Sequence, residues 1–176
     1  MSKVYCGIDV GTIGYLAIND NGKWSYAAFR DTSIRELANT MSLLKQNTNG
    51  NLVCVIEDVH AIFNSSAKAT FAFGLQKGIM LALLESNGIP YHLVAPKEWQ
   101  KEMWDNKDLV VSNEAYSTKD GKTKIRKKKD TKKTSENVAK RLFPDADFRR
   151  TSRCTNNDDN KIDAMLMAEY ARRKNL

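Results

Sequence analysis

The spacing of apolar residues changes several times along the 176-residue chain, and each change marks an element. Residues 3–10 (KVYCGIDV) form a short apolar run that ends at Asp9-Val10-Gly11-Thr12, and residues 13–19 (IGYLAIN) form a second. Asp20-Asn21-Gly22 reads as a turn, and residues 23–29 (KWSYAAF) form a third run. Short runs joined by tight turns predict an antiparallel three-strand meander. Ser33-Ile34-Arg35-Glu36 then has the form of a capping box, and Ile34, Leu37, Ala38, Met41 and Leu44 follow at helical spacing. Residues 52–56 (LVCVI) are continuously apolar and β-rich, as in a strand covered on both faces, and they end at Glu57-Asp58. Residues 67–86 predict a long, mostly apolar helix in which Gly74 and Gly78 share a face. Residues 91–95 predict another strand, and Pro96 suits the first turn of a short helix reaching Trp104.

From about 105 to 133 no period survives, and the lysine-rich stretch is expected to be a basic, flexible insertion. Thr134 or Ser135 is the expected cap of a helix running to Phe143, before Pro144. A last helix starts near Asn157 or Asp158, with Ile162, Met165, Leu166 and Tyr170 as its inner stripe. The order β-β-β-α-β-α-β-α, with further helices, predicts an α/β fold. It combines an antiparallel meander and parallel strands in one mixed sheet flanked by helices, as a single domain spanning 1–176.

Charge adds a partner to this picture. Residues 119–133 hold nine Lys/Arg and two Asp, so they carry the whole net charge of +7, and the rest of the chain balances. One concentrated cationic segment on a neutral body suits either a polyanion such as nucleic acid or a solvated loop. Cys6, Cys54 and Cys154 are an odd, widely spaced set, which argues against a disulfide scaffold or zinc ribbon and fits a reducing, cytoplasmic setting. The first residues run straight into a strand, leaving no room for a secretory signal, and no apolar run is expected to approach the ~20 residues of a membrane span.

Asp9 and Glu57 each end an apolar strand. If those strands are neighbours, both carboxylates emerge at one sheet edge. Asp159 and Asp163 lie four apart and share a face of the last helix. Gathered carboxylates repel and raise one another's pKa unless a cation compensates. Oxygen-only ligands favour Mg²⁺ or Mn²⁺ over zinc, and two such ions ~4 Å apart can activate water on a phosphodiester. Each acid also has a plain structural reading: a turn partner for Asp9, a surface ion pair for Glu57, and favourable helix-start charges for Asp158, Asp159 and Asp163.

Gly7-Ile8-Asp9-Val10-Gly11-Thr12, Val55-Ile56-Glu57-Asp58-Val59-His60 and the run Asp159-Asn160-Lys161-Ile162-Asp163-Ala164 resemble the signatures of RuvC-type Holliday junction resolvases, most closely their phage-borne branch. Phe73-Gly74-Leu75-Gln76-Lys77-Gly78 and Pro96-Lys97-Glu98-Trp99-Gln100-Lys101 are similar to two further blocks of that family. The resemblance implies an RNase H-like fold, a homodimer, and Mg²⁺-dependent nicking of four-way DNA junctions that leaves 5′-phosphates. It places catalytic and metal-binding roles on Asp9, Glu57 and Asp163, with Asp159 as the fourth acid and Asp158 in reserve. His60 stands where relatives probe the junction centre, and it either stacks on a base or bonds to its own loop, with Phe63 a second candidate. Lys97 or Lys101 supplies a charge that Gln100 lacks. Lys119, Lys122, Lys124, Arg126, Lys127, Lys128 and Lys129 are the expected DNA-phosphate contacts. The same fold also serves broader branched-DNA or flap nucleases, and a non-catalytic DNA-binding module is the remaining alternative.

Overall fold

A computed structural model describes residues 3–11, 13–59, 66–117, 120–121 and 123–176. The meander forms as expected, with β1 (Val4–Asp9), β2 (Tyr15–Asp20) and β3 (Lys23–Ala28) antiparallel. Helix α1 (Ile34–Asn47) starts with the expected capping box, in which the Ser33 hydroxyl accepts from the Glu36 amide and the Glu36 carboxylate accepts from the Ser33 amide. β4 (Leu52–Glu57) pairs parallel with β1, and after α2 (Ala67–Ser86), β5 (Tyr91–Val94) pairs parallel with β4. The sheet order is β3-β2-β1-β4-β5. Helices α3 (Pro96–Met103), α4 (Thr131–Leu142) and α5 (Asp159–Lys174) follow. This is an RNase H-like mixed sheet flanked by five helices among the described residues.

Strand periodicity divides the core into two layers. Val53 and Val55 join Tyr5, Ala17, Trp99 and the α5 residues Ile162, Met165 and Leu166 on one face. Leu52, Cys54 and Ile56 join Val4, Cys6, Ile8 and the helical Leu37, Met41, Met80 and Leu84 on the other. The β4 run is continuously apolar because both faces are covered. Helix α5 is buried far beyond its expected stripe: Ala164, Met167, Ala168 and Ala171 are fully covered as well.

Gly7 lets α5 come so close. A Cβ there would stand 1.9 Å from the Ala164 carbonyl oxygen and 2.6 Å from the Ala168 amide nitrogen. These are backbone atoms, so no rotamer change could relieve the clash. Ala164 and Ala168 are one turn apart, so the helix backbone lies directly on the β1 backbone. That contact sets the height of α5 against the sheet.

Three expectations need correction. The stretch without period holds a hairpin, β6 (Val111–Ser117) with β7 (Thr123–Lys129), separate from the main sheet. Its alternation is hidden because both faces are exposed, so polar residues occupy both. Helix α4 begins earlier than expected: Asp130 caps it by accepting from the Lys133 amide at 3.1 Å, and Thr134 and Ser135 are buried inside it. Helix α2 is, by length and composition, apolar enough to cross a membrane, contrary to the expectation that no run is. Its middle is nonetheless tied to the sheet: Lys77 pairs with Asp58 at 2.6 Å, and Met80 and Leu84 are in the core. Among the described residues no atom lies within 4 Å of a Cβ built at Gly74 or Gly78, so no close packing between those residues accounts for the two glycines.

Candidate active site

β1 and β4 are parallel neighbours in the register Ile8↔Ile56, so Asp9 and Glu57 come next on both strands, at the same carboxyl edge. The two-residue period puts Tyr5, Gly7 and Asp9, like Val53, Val55 and Glu57, on the face that α5 covers. Gly7 seats Ala164 and thereby brings the preceding residue, Asp163, to the level of Asp9. Three acids far apart in the chain thus converge because two strands are parallel and one helix backbone rests on a glycine.

Each acid has its own environment. The Gly11 amide donates to Asp9 Oδ1 at 3.1 Å, yet burial, followed by the Glu57 charge, pushes Asp9 up to about 7. Trp99 Nε1 donates to Glu57 Oε1 at 2.9 Å, which opposes the upward push that burial gives this carboxyl. Burial, then the charge of Asp9, raises Asp163 well above the usual carboxylate range, against the Ser135 hydroxyl, while Glu57 and Asp159 raise it further. Asp163 Oδ1 is buried and has no hydrogen-bond partner among the described residues. Lys132 pairs with Asp159 at 2.7 Å, and its charge is felt by Asp9 and Asp163 as well. Asp158 is occupied as the α5 cap, accepting from the Asn160 amide and side chain at 3.1 Å each.

Among the described residues no three of these carboxylates lie close enough, as they stand, to hold one metal ion. The donors that do face them explain the spacing. Like charges separate, and each turns to a local partner: Gly11 for Asp9, Trp99 for Glu57, Lys132 for Asp159. The donor set itself suits a hard divalent cation, since every candidate is a carboxylate oxygen and one buried oxygen of Asp163 is left without a donor.

The expected DNA-binding residues are scattered. Lys124, Arg126, Lys127, Lys128 and Lys129 line β7, while Lys97 and Lys101 are exposed on α3. His60, Phe63, Lys119 and Lys122 lie outside the described residues. Side chains that no spacing marked are drawn into the site. Trp99 and Ser135 hold carboxylates, and Lys132 supplies a cation. Arg30, Lys132, Arg150 and Arg153 line a cavity of about 630 Å³ against Asp158, Asp159 and Asn160. The only hint of this in the chain was the arginine cluster at 149, 150 and 153, which the longer lysine run outweighs.

No family model matches the chain, and no curated protein does. Among solved structures, Thermus thermophilus RuvC in complex with a Holliday junction substrate aligns over 98% of this chain and 96% of its own, with a TM-score of 0.52 and 11% identity. The fold is that of RuvC. A second Thermus thermophilus RuvC structure covers the same shares at a TM-score of 0.48 and 12% identity. At such identities the likeness to RuvC is one of fold, and the chemistry has to be argued from the site described above.

Proposed function

We propose that the protein is a divalent-metal-dependent endonuclease that nicks four-way DNA junctions. The observation that supports this best is the convergence of Asp9, Glu57 and Asp163 on one sheet edge, with an Asp163 oxygen buried and undonated. Asp9, Glu57 and Asp163 would hold the cation, with Asp159 completing the set. Mg²⁺ is the natural ion, Mn²⁺ a substitute, and two ions per site the expected number. When bound, such ions supply Lewis acidity at a phosphoryl oxygen and lower the pKa of water.

The chain's own groups do the rest. Trp99 keeps one oxygen of Glu57 fixed, so the carboxylate presents the other. Ser135 does the same service for Asp163. Lys132 balances Asp159 until a divalent ion arrives. The hydrolysis we propose breaks the bond from phosphorus to the 3′-oxygen, leaving a 5′-phosphate and a 3′-hydroxyl. Paired nicks need two sites related by a two-fold axis. A second copy of this chain is the partner we assign to the outer face of α2, where Phe71 and Leu75 are 73% and 53% exposed beside the open Gly74 and Gly78.

A cleavage assay on a synthetic four-way junction, with matched forks, flaps and linear duplex, tests the proposal. Junction nicking should require Mg²⁺ or Mn²⁺, and sedimentation of the same preparation should show a dimer. Asp163→Asn should lower cleavage at least roughly a hundred-fold while junction binding is retained. It should also raise the metal-free melting temperature, because a buried like charge is gone. Equal cutting of linear duplex defeats the junction assignment, and full activity of Asp163→Asn defeats the site.

A further inference from the structure

The loop between α4 and α5 is built with more care than a connection requires. Its ends meet: the Asp158 amide donates to the Phe148 carbonyl at 2.9 Å, and Arg149 and Asn157 form an isolated β-bridge. Phe148 is buried at 5% exposure. Arg149 is used internally, clasping Asp147 through Nε and Nη2 at 2.9 Å each. Beneath the loop sits Lys161, only 6% exposed, whose Nζ donates to the carbonyls of Asp147 at 2.6 Å and Arg149 at 3.1 Å and lies 4.0 Å from the centre of the Tyr26 ring. A buried ammonium is costly, and here it is spent on holding loop backbone in one shape.

That shape carries Arg150 and Arg153 to the cavity beside the acids, with Arg30 and Lys132 also in its lining. Lys132 is paired with Asp159. Arg30, Arg150 and Arg153 have no carboxylate partner among the described residues. Asp158, the other acid on the wall, is turned to its helix cap. The result is an open, guanidinium-rich cleft next to a cluster of carboxylates.

We infer that this cavity grips a backbone phosphate of DNA next to the phosphate presented to Asp9, Glu57 and Asp163, with Arg150 and Arg153 as its fork-shaped donors. Guanidinium groups bind phosphate oxygens in pairs, and a preformed loop loses little freedom on binding. The inference rests on the proposed nuclease reading for what lies beside it. It differs from the expectation that the lysine run holds the substrate, because it puts the grip that sets strand position on arginines in another loop.

Cys154 lines the same cavity and is half-buried, whereas Cys6 and Cys54 are fully buried. Its thiol is pulled below the usual range, first by the Thr151 hydroxyl, so maleimide reports on this cavity in the intact protein. Alkylation of Cys154 is measured alone, with inorganic phosphate, and with a four-way junction. Cleavage is measured for wild type and the Arg150→Ala/Arg153→Ala double variant. The junction should slow alkylation at least about ten-fold, inorganic phosphate should not, and the double variant should cleave roughly 10–100-fold more slowly. Protection by DNA in a protein that cuts no branched substrate overturns the nuclease reading and supports this cavity as a DNA surface. Free alkylation on DNA, with a double variant as active as wild type, overturns this inference alone. Equal protection by inorganic phosphate makes it a free-phosphate pocket and overturns it too. The alkylation arm needs no variant, so misfolding of the double variant leaves the inference open to refutation.

Discussion

The protein has two cationic regions, and they are built in opposite ways. In the β6–β7 hairpin the strands bond to each other, outside the main sheet. Ile125 is 72% exposed, and every described residue of β7 is exposed. Part of the charge is cancelled within the hairpin: Glu114 binds Arg126 at 2.7 Å and Lys128 at 2.7 Å. The loop from Phe148 to Asp158 has fewer cations, yet buried Lys161, buried Phe148 and a β-bridge fix it beside the acids. Dense charge on an exposed ribbon provides reach and salt-sensitive attraction. Sparse charge on an anchored loop provides position. The region that sequence composition marks most strongly therefore differs from the one to which we assign strand position.

The largest effect comes from removing the platform on which the anchored region rests. Gly7→Ala forces a Cβ into the Ala164 carbonyl, so α5 has to lift off β1 and take Asp163 and Lys161 with it. Overpacking against backbone should cost on the order of 3 kcal/mol, or about 6–12 °C in Tm for a chain of this size. Calorimetry checks the stability. Alkylation of Cys154 should lose its dependence on DNA, while attraction to DNA at low salt, carried by the hairpin, should survive. If Gly7→Ala melts like wild type with the site intact, the height of α5 is set elsewhere.

A smaller effect sharpens the other side of the comparison. The hairpin meets the body at Asp108, which is 4% exposed and accepts from Arg141 Nη2 at 2.6 Å and Nε at 3.0 Å. The Arg141 hydrogen bonds hold the Asp108 carboxyl below its usual range against burial. Because the folded pKa is depressed, the stability this pair contributes is present above the unfolded aspartate value and is lost as pH falls through the lower folded one. Asp108→Asn should cost about 1–3 kcal/mol at neutral pH, with Arg141 partly exposed and able to find water. Urea melts should show the variant and wild type converging below about pH 4. Amide exchange should quicken at the base of the hairpin and stay unchanged in the arginine loop.

Much of the fold was legible because its signals are local. The turn at Asp20-Asn21-Gly22, the Ser33/Glu36 capping box and the uninterrupted apolar run of β4 each depend on neighbouring residues. Asp9, Glu57 and Asp163 were legible because strand ends and helix faces can be counted. The hairpin was not, since alternation vanishes where neither face is buried. Asp130 as the true cap of α4 was hidden among lysines that read as coil. Trp99, Ser135 and Lys132 join the site only through tertiary packing of α3 and α4, which no spacing encodes. Lys161 is the sharpest case. By type it belongs on the surface, and it is buried because loop carbonyls and the Tyr26 ring replace water around it.

The smallest effect separates reach from position most directly. Glu114 faces Arg126 and Lys128 across the hairpin, and Arg126 also lies 5.3 Å from the Tyr116 ring centre, so these two cations are held within the hairpin. On the opposite face Lys127 and Lys129 alternate with Ile125 and have no ion pair among the described residues. Glu114→Gln removes the internal counter-charge while preserving shape. If the hairpin contributes diffuse attraction, the variant should bind linear duplex and junction more tightly by the same several-fold factor. The slope of log affinity against log salt should steepen by up to about two contacts. Single-turnover cleavage at saturating protein should stay at the wild-type rate if the anchored arginines set the strand as we infer. Should the cleavage rate or the choice of cut strand change along with affinity, the hairpin also positions the substrate, and the division of labour between the two regions fails.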